Sequence, residues 1–292
     1  MLRRLFRYSV IPLALGACQG EHAATPGSSA IAAPPASADA GSVPAANAPS
    51  IPPSPPDGSA PAALKAVLVK QFPHDPTAYT QGLEVMGDTL YESTGLEGQS
   101  SLRKAQLTSG TILQRAELSP KYFGEGITVF RGKIYQLTWK SHLGFIYDAA
   151  TLKQIGTFGY DGEGWGLTHD SSSLFMSDGT SALRILDPKT LRVTRTISVT
   201  DGGRAVDRLN ELEWVKGEIF ANVWQTDQIA RIDPASGKVR GWIDLAALRP
   251  SSLYADTVDV LNGIAYDSTA DRLLVTGKLW PSIFQVRLTT QP

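Results

Sequence analysis

Five stretches of this chain repeat one pattern, and that repeat narrows the possible folds more than any other feature. "YTQGLEVMGDTLYEST", "FGEGITVFRGKIYQLTW", "GWGLTHDSSSLFMSDG", "LNELEWVKGEIFANVW" and "LNGIAYDSTADRLLVTGK" share one order: apolar strand, turn rich in Gly, Asp or Ser, alternating second strand. A second half follows each: "SSLRKAQLTSGTILQRAEL", "HLGFIYDAATLKQIGTF", "SALRILDPKTLRVTRTI", "QIARIDPASGKVRGWIDL" and the closing "SIFQVRL". Asp followed by Pro opens a type I turn, so each unit reads as four short antiparallel strands. A period of about 40 to 50 residues is that of a propeller blade. The fifth unit stops one strand short at Leu288, while "LKAVLVKQF" (Leu64 to Phe72) is a strand without a partner ahead of the first unit. Joining the two covers both free edges. The expected fold is all-β: a five-bladed β-propeller of four-stranded antiparallel blades, closed by an N-terminal strand. Five similar units weigh against a two-sheet sandwich. One long insertion, Asp244 to Val260, separates units four and five and is expected to hold a helical turn or a loop over one face.

The ends of the chain carry other signals. Residues 1–18 have the layout of an export signal: Arg3, Arg4 and Arg7, an apolar run from Tyr8 to Leu15, then Leu15-Gly16-Ala17-Cys18. The run is short of the roughly 20 apolar residues that span a bilayer. The closing tetrapeptide resembles the bacterial lipoprotein cleavage box, and Cys18 is the sole cysteine, which leaves no disulfide for the mature fold. Residues 19–63, rich in Ala, Pro and Ser, bury too little apolar surface to offset ordering entropy and read as a disordered tether. Residues 64–292 then form the propeller, an exported lipoprotein domain on the periplasmic side of a bacterial cell envelope, attached to membrane only through Cys18. Its mixed, mildly acidic charge and lack of a basic stripe exclude nucleic acid as a partner.

In a propeller the first strand of each blade lines the central channel. The blade starts bring together Tyr79 and Gln81, Phe123 and Glu125, Trp165, Asn210 and Glu211, and Asn262; second-strand ends add Trp139, Asp178, Trp224 and Lys278. Large aromatics beside a carboxylate, amides and an ammonium group suit an apolar pocket with a few convergent polar groups. Two Gly-Glu-Gly frames occur, around Glu125 and Glu163. Glu125 stands at a blade start, where the glycines are expected to give clearance around a working carboxylate. Glu163 precedes the blade-start Trp165 by two residues and reads as loop. Glu211 and Glu213 alternate onto one side, and one of them is expected to meet solvent or a turn. His22, His74, His142 and His169 form no metal-type pair and read as surface or turn residues. No nucleophile elbow, phosphate loop or dinucleotide fingerprint is present.

"YTQGL", "FGEGIT", "LTWK", "GEGWGLT", "SDGT", "LNELEW", "NVW", "LNGIAYD" and "TGKLWP", in order from about Phe72 to Leu288, together resemble the plant and bacterial type of glutaminyl-peptide cyclotransferase. The resemblance implies a five-bladed propeller that uses no metal or other cofactor. It implies an enzyme that converts the N-terminal Gln of peptides or proteins to pyroglutamate and releases ammonia. Carried over by position, it makes Glu125 the catalytic carboxylate and Tyr79, Gln81, Phe123, Trp139, Trp165, Asn210, Trp224 and Lys278 the substrate pocket. Tyr79 stands where the family often has Phe. The chain is expected to act as a monomer.

Cyclisation needs the α-amine to lose a proton and the departing γ-nitrogen to gain one, which one carboxylate within reach of both can perform. The tetrahedral oxyanion needs donors: Asn210, Lys278, a Trp indole N–H and backbone N–H are the candidates. Two other readings stand beside this one: a non-catalytic peptide-binding propeller, and a lactonase-like propeller in which Glu125, Asn210 and Asn262 ring a cation.

Overall fold

The computed structural model describes residues 50–56, 58–250 and 259–290. Strand β1 (Ala62–Pro73) comes first. The first blade contains β2 (Thr80–Met86), β3 (Thr89–Thr94), β4 (Ser101–Gln106) and β5 (Ile112–Glu117). The second contains β6 (Gly124–Phe130), β7 (Lys133–Thr138), β8 (Leu143–Asp148) and β9 (Gln154–Gly159). The third has β10 (Leu167–His169), β11 (Leu174–Met176), β12 (Ala182–Leu186) and β13 (Val193–Ser198), followed by a small hairpin, β14 (Thr200–Asp201) and β15 (Arg204–Ala205). The fourth is β16 (Leu209–Val215), β17 (Glu218–Val223), β18 (Gln228–Ile232) and β19 (Val239–Asp244). The fifth supplies β20 (Leu261–Asp267), β21 (Arg272–Gly277) and β22 (Ser282–Thr290).

Strand β1 completes the fifth blade, as the unpaired strand in the sequence implies. It runs antiparallel to β22 from Leu64 opposite Thr290 to Pro73 opposite Ser282. Its first residues also pair parallel with β19, Ala62 opposite Gly241, so the fourth and fifth blades share one eight-stranded sheet. Five apolar clusters lie between successive blades among the described residues, and the one between the fifth and first contains Phe72, Leu83, Leu90, Leu274 and Ile283. The Asp turns form as expected: Asp187 Oδ1 accepts the N–H groups of Lys189 and Thr190, and Asp233 Oδ1 those of Ala235 and Ser236.

Order begins earlier than the composition suggests. Cys18 and most of the expected tether lie outside the described residues, but Ser50 to Pro56 are packed on the propeller. Ile51, a rare large apolar residue in that stretch, is buried in the cluster between the fourth and fifth blades. The Ser50 carbonyl accepts the N–H of Leu288, and the Pro52 carbonyl that of Arg231 Nη2. The insertion after β19 opens with a single 3₁₀ turn, Ala246–Leu248.

The innermost strands have no strand partner on their channel side, and other blades supply the missing acceptors. Glu84 accepts the N–H of Val129 (2.6 Å), Glu211 those of Leu83 (3.2 Å) and Ile264 (2.8 Å), and Glu213 that of Tyr266 (2.7 Å). Neither Glu211 nor Glu213 therefore meets solvent, contrary to the sequence expectation; both are buried. Burial pushes Glu84 up to about 7 and raises Glu211 and Glu213 well above the usual carboxylate range.

The blade-start glycines serve the same contact. Gly126 donates its N–H to the Trp165 carbonyl at 2.8 Å, and a Cβ there would lie 2.6 Å from that oxygen. A Cβ on Gly166 would lie 2.0 Å from the Asn210 carbonyl oxygen. The space beside Gly126 is thus taken by the next blade's backbone, so this glycine serves blade packing rather than the expected clearance around a working carboxylate.

Two histidines are tied into the blades rather than free on the surface: the His74 side chain is 4% exposed and His169 is half-buried. His169 Nδ1 meets Thr128 Oγ1 at 2.7 Å. His74 donates from both ring nitrogens, to Glu92 (2.9 Å) and the Trp280 carbonyl (2.7 Å), tying the first blade to the closing turn. Burial lowers the His74 pKa, but the Glu92 charge and hydrogen bonds outweigh it, and the net shift is upward. Burial likewise opposes the ionised Glu92, and His74, Arg103 and Thr80 bring it below the ordinary value. The His74 contribution to stability is complete below the ordinary histidine pKa of about 6.5 and is lost as pH rises through its higher native value. The Glu92 contribution is complete above about 4.3 and is lost as pH falls through its lower native value. The melting-temperature gap between wild type and His74→Gln should therefore be widest near about pH 5 to 6 and shrink toward about pH 9. A gap that stays constant or widens over that range contradicts the assignment.

Candidate functional site

One cavity of about 370 Å³ opens at the mouth of the channel where the inner strands begin, within the ~300–1,000 Å³ of small-molecule sites. Its lining is Tyr79, Gln81, Phe123, Glu125, Trp139, Trp165, Asn210, Trp224 and Lys278. These are the nine pocket residues expected from the sequence. Asp178, Glu211 and Asn262, also placed near the centre by the repeat, do not line it. Asp178 pairs with Arg184 (2.8 Å), and Asn262 Nδ2 donates to the Thr80 carbonyl (3.0 Å) and to Gln81 Oε1 (3.4 Å), steadying Gln81 from behind.

Local backbone geometry explains why these side chains converge. In four blades the ladder between first and second strands slips at the blade start: between Thr80 and Gly82, Gly124 and Ile127, Leu209 and Leu212, and Leu261 and Ile264. Such a bulge leaves a residue unpaired and re-aims its side chain. Gln81, Glu125, Asn210 and Asn262 sit inside these slips. The aromatic partners come from strand ends fixed by backbone bonds: Trp139 N–H to the Phe123 carbonyl (3.0 Å), Trp165 to Ser177 (3.1 Å), Trp224 to Arg208 (2.9 Å).

The polar groups are buried and the aromatics form a half-buried wall around them. Tyr79 meets Phe123 edge-on with centroids 6.4 Å apart, Phe123 meets Trp139 at 5.6 Å, and Trp165 meets Trp224 at 5.6 Å. Glu125 is 5% exposed and accepts no hydrogen bond among the described residues. Burial pushes its carboxyl well above the usual range; Lys278 opposes that shift and Glu163 adds to it. The Lys278 ammonium is lowered by burial, opposed by Glu125 and Asp259, and lies 4.7 Å from the Tyr79 ring centroid. Asn210 Oδ1 is buried without a partner among the described residues.

Two participants were not legible in the sequence. Asp259, at the end of the insertion, accepts the Tyr79 hydroxyl at 2.9 Å, while its backbone carbonyl accepts Trp280 Nε1 at 3.0 Å. Glu163, expected as plain loop, accepts the indole N–H of both Trp139 and Trp165. Only its near-repeat of the Glu125 frame hinted at a role. A second, larger cavity of about 750 Å³ at the other end of the inner strands is lined by Glu84, Glu213 and His169. Those groups are engaged in the inter-blade bonds described above.

The sequence profile of the glutamine cyclotransferase family matches residues 39–288. A glutaminyl-peptide cyclotransferase of Arabidopsis thaliana is 48% identical over 225 residues, 76% of this chain and 70% of the relative. The crystal structure of Myxococcus xanthus glutaminyl cyclase matches with a TM-score of 0.74 at 36% identity, over 80% of this chain and 100% of that one.

The Tyr79 phenol and Asp259 make a pair that a phenylalanine at this position would lack. Tyr79→Phe should lower unfolding free energy by about 1 to 2 kcal/mol in urea melts. An unchanged midpoint would show that the bond contributes nothing.

Proposed function

The chain belongs to the glutamine cyclotransferase family and is a glutaminyl-peptide cyclotransferase; we propose that Glu125 is its proton-transfer group, acting on peptides and proteins with N-terminal Gln. The observation that carries this assignment is a buried carboxylate without a hydrogen-bond partner among the described residues, in one cavity with Lys278 inside an aromatic wall. An N-terminal amine has a pKa of about 8 and arrives mostly protonated. A carboxylate whose proton affinity is raised by burial is matched to take that proton at neutral pH.

The steps balance without any other reactant. Glu125 takes a proton from the α-ammonium, and the freed amine attacks the γ-carbonyl carbon to form the lactam C–N bond. Glu125 then gives its proton to the γ-nitrogen as the old C–N bond breaks and ammonia leaves. The second proton on the new lactam nitrogen returns to Glu125 and passes to the released ammonia. The amine and carbonyl belong to one residue, so holding that residue in a near-attack shape lowers the barrier. Gln81 is suited to hold the γ-amide, and Trp139 and Trp224 to pack the methylene stem. The Trp139 and Trp165 indole N–H groups are engaged by Glu163, which leaves Lys278, Asn210 and Trp224 to serve the oxyanion.

The reaction as written needs no metal. The lactonase-like reading would require Asn262 to join Glu125 and Asn210 around a central cation, whereas Asn262 does not line the cavity that holds those two. Glu125→Gln should abolish ammonia release from a Gln-initial dipeptide while melting like wild type, and EDTA should leave wild-type turnover intact. Near-wild-type turnover in the variant would sink the role of Glu125; loss in chelator would sink metal independence.

The envelope location rests on the basic start, the apolar run and Cys18. Radiolabelled palmitate should enter the full-length chain in a bacterial host and be absent from Cys18→Ser. Equal labelling of the two would refute the lipid anchor.

A further inference from the structure

The loop that carries Glu163 is built to hold that carboxylate in place. The carbonyls of Asp161, Gly162 and Glu163 each accept a hydrogen bond: from Arg184 Nη1, from His142 Nδ1 (2.8 Å) and from Arg184 Nη2 (2.9 Å). Arg184 is itself held by Asp178 at 2.8 Å. The expected pocket role of Asp178 is thus replaced by one step of indirection.

From this base Glu163 Oε2 accepts Trp139 Nε1 at 2.7 Å and Trp165 Nε1 at 2.9 Å. The first indole follows β7 in the second blade, and the other precedes β10 in the third. Each is in edge contact with a further ring, Trp139 with Phe123 and Trp165 with Trp224. One carboxylate oxygen therefore joins two halves of an aromatic wall that otherwise belong to separate blades. Charge-assisted bonds of this kind are about twice as strong as neutral ones.

We propose that Glu163 is a positioning residue for the cyclotransferase reaction, setting the spacing of Trp139 and Trp165 around the substrate's glutamine and keeping both indole N–H groups from competing for its γ-amide. The inference rests on the cyclotransferase reading of the pocket. Glu163 also acts on Glu125 through space. The charged and titratable groups that face Glu125 are Lys278, Glu163 and the phenols of Tyr79 and Tyr160. Of these, the Glu163 charge favours the protonated form of Glu125.

The test compares wild type, Glu163→Ala and Glu163→Gln for ammonia release from a Gln-initial dipeptide across pH, with intrinsic tryptophan emission recorded alongside. In Glu163→Ala, kcat should fall by about 10- to 100-fold, because misplacement by about an ångström costs that much. Its emission maximum should shift as the two indoles lose their acceptor. The amide oxygen of Glu163→Gln still accepts from both indoles, so this variant should regain most of kcat and the wild-type emission. Removing the charge should move the acid limb of its kcat/KM profile to lower pH, because the Glu125 pKa falls. Wild-type kcat in Glu163→Ala, or a Glu163→Gln as impaired as Glu163→Ala with an unmoved acid limb, overturns the proposal. Should wild type itself release no ammonia, the cyclotransferase reading fails, and emission decides the indole contacts alone: identical spectra in wild type and Glu163→Ala overturn them.

Discussion

The unpaired channel edge of each innermost strand is the constraint on which the rest of this propeller depends. A strand in open sheet would leave that edge to water, but here it is buried, and a buried N–H without an acceptor is costly. The chain answers with side chains lent between blades: Glu84 to Val129, Glu211 to Ile264 in the next blade and to Leu83 in the one beyond it, Asn222 to Gly263. Where backbone meets backbone directly, as between Gly126 and Trp165, only a glycine fits. Blade starts are consequently held in close register, and the slips in the ladder turn Gln81, Glu125 and Asn210 into the mouth of the channel.

That arrangement separates two kinds of buried carboxylate. Glu211 has backbone donors for both oxygens and serves the ring. Glu125 has none, and stands instead in a cavity with Lys278 and Asn210. Burial raises the proton affinity of both, yet only the second has room beside it for another molecule. An elevated carboxylate pKa by itself would have pointed equally to Glu84, Glu211 and Glu213, so geometry decides.

Much of this was legible in the sequence because a repeat converts chain position into angular position. Once Phe123 and Trp139 are seen as the start of one strand and the end of the next, their meeting at the pocket follows without any knowledge of rotamers. The same argument reached Trp165, Asn210, Trp224 and Lys278. It failed where the outcome depends on side-chain direction across blades. Nothing in the pattern says that the indoles of Trp139 and Trp165 share one oxygen of Glu163, or that Asn262 turns back to Thr80. It failed also for Ile51, whose burial depends on a surface made by residues more than a hundred positions away, and for the glycines around Glu125, whose neighbour is another blade.

The strand that completes the fifth blade carries a kinetic consequence. Leu64 pairs with Thr290, so this contact spans nearly the entire folded domain. Contacts of such long separation are entropically expensive to form and slow the folding of the proteins that rely on them. Among the described strands β1 is made first and its antiparallel partner β22 last. Until β22 arrives, the edge of β1 that will pair with it is open, and Val67, Leu68 and Val69 on this strand are exposed even in the closed ring. The interval before closure is therefore when this chain is most open to pairing with the wrong neighbour.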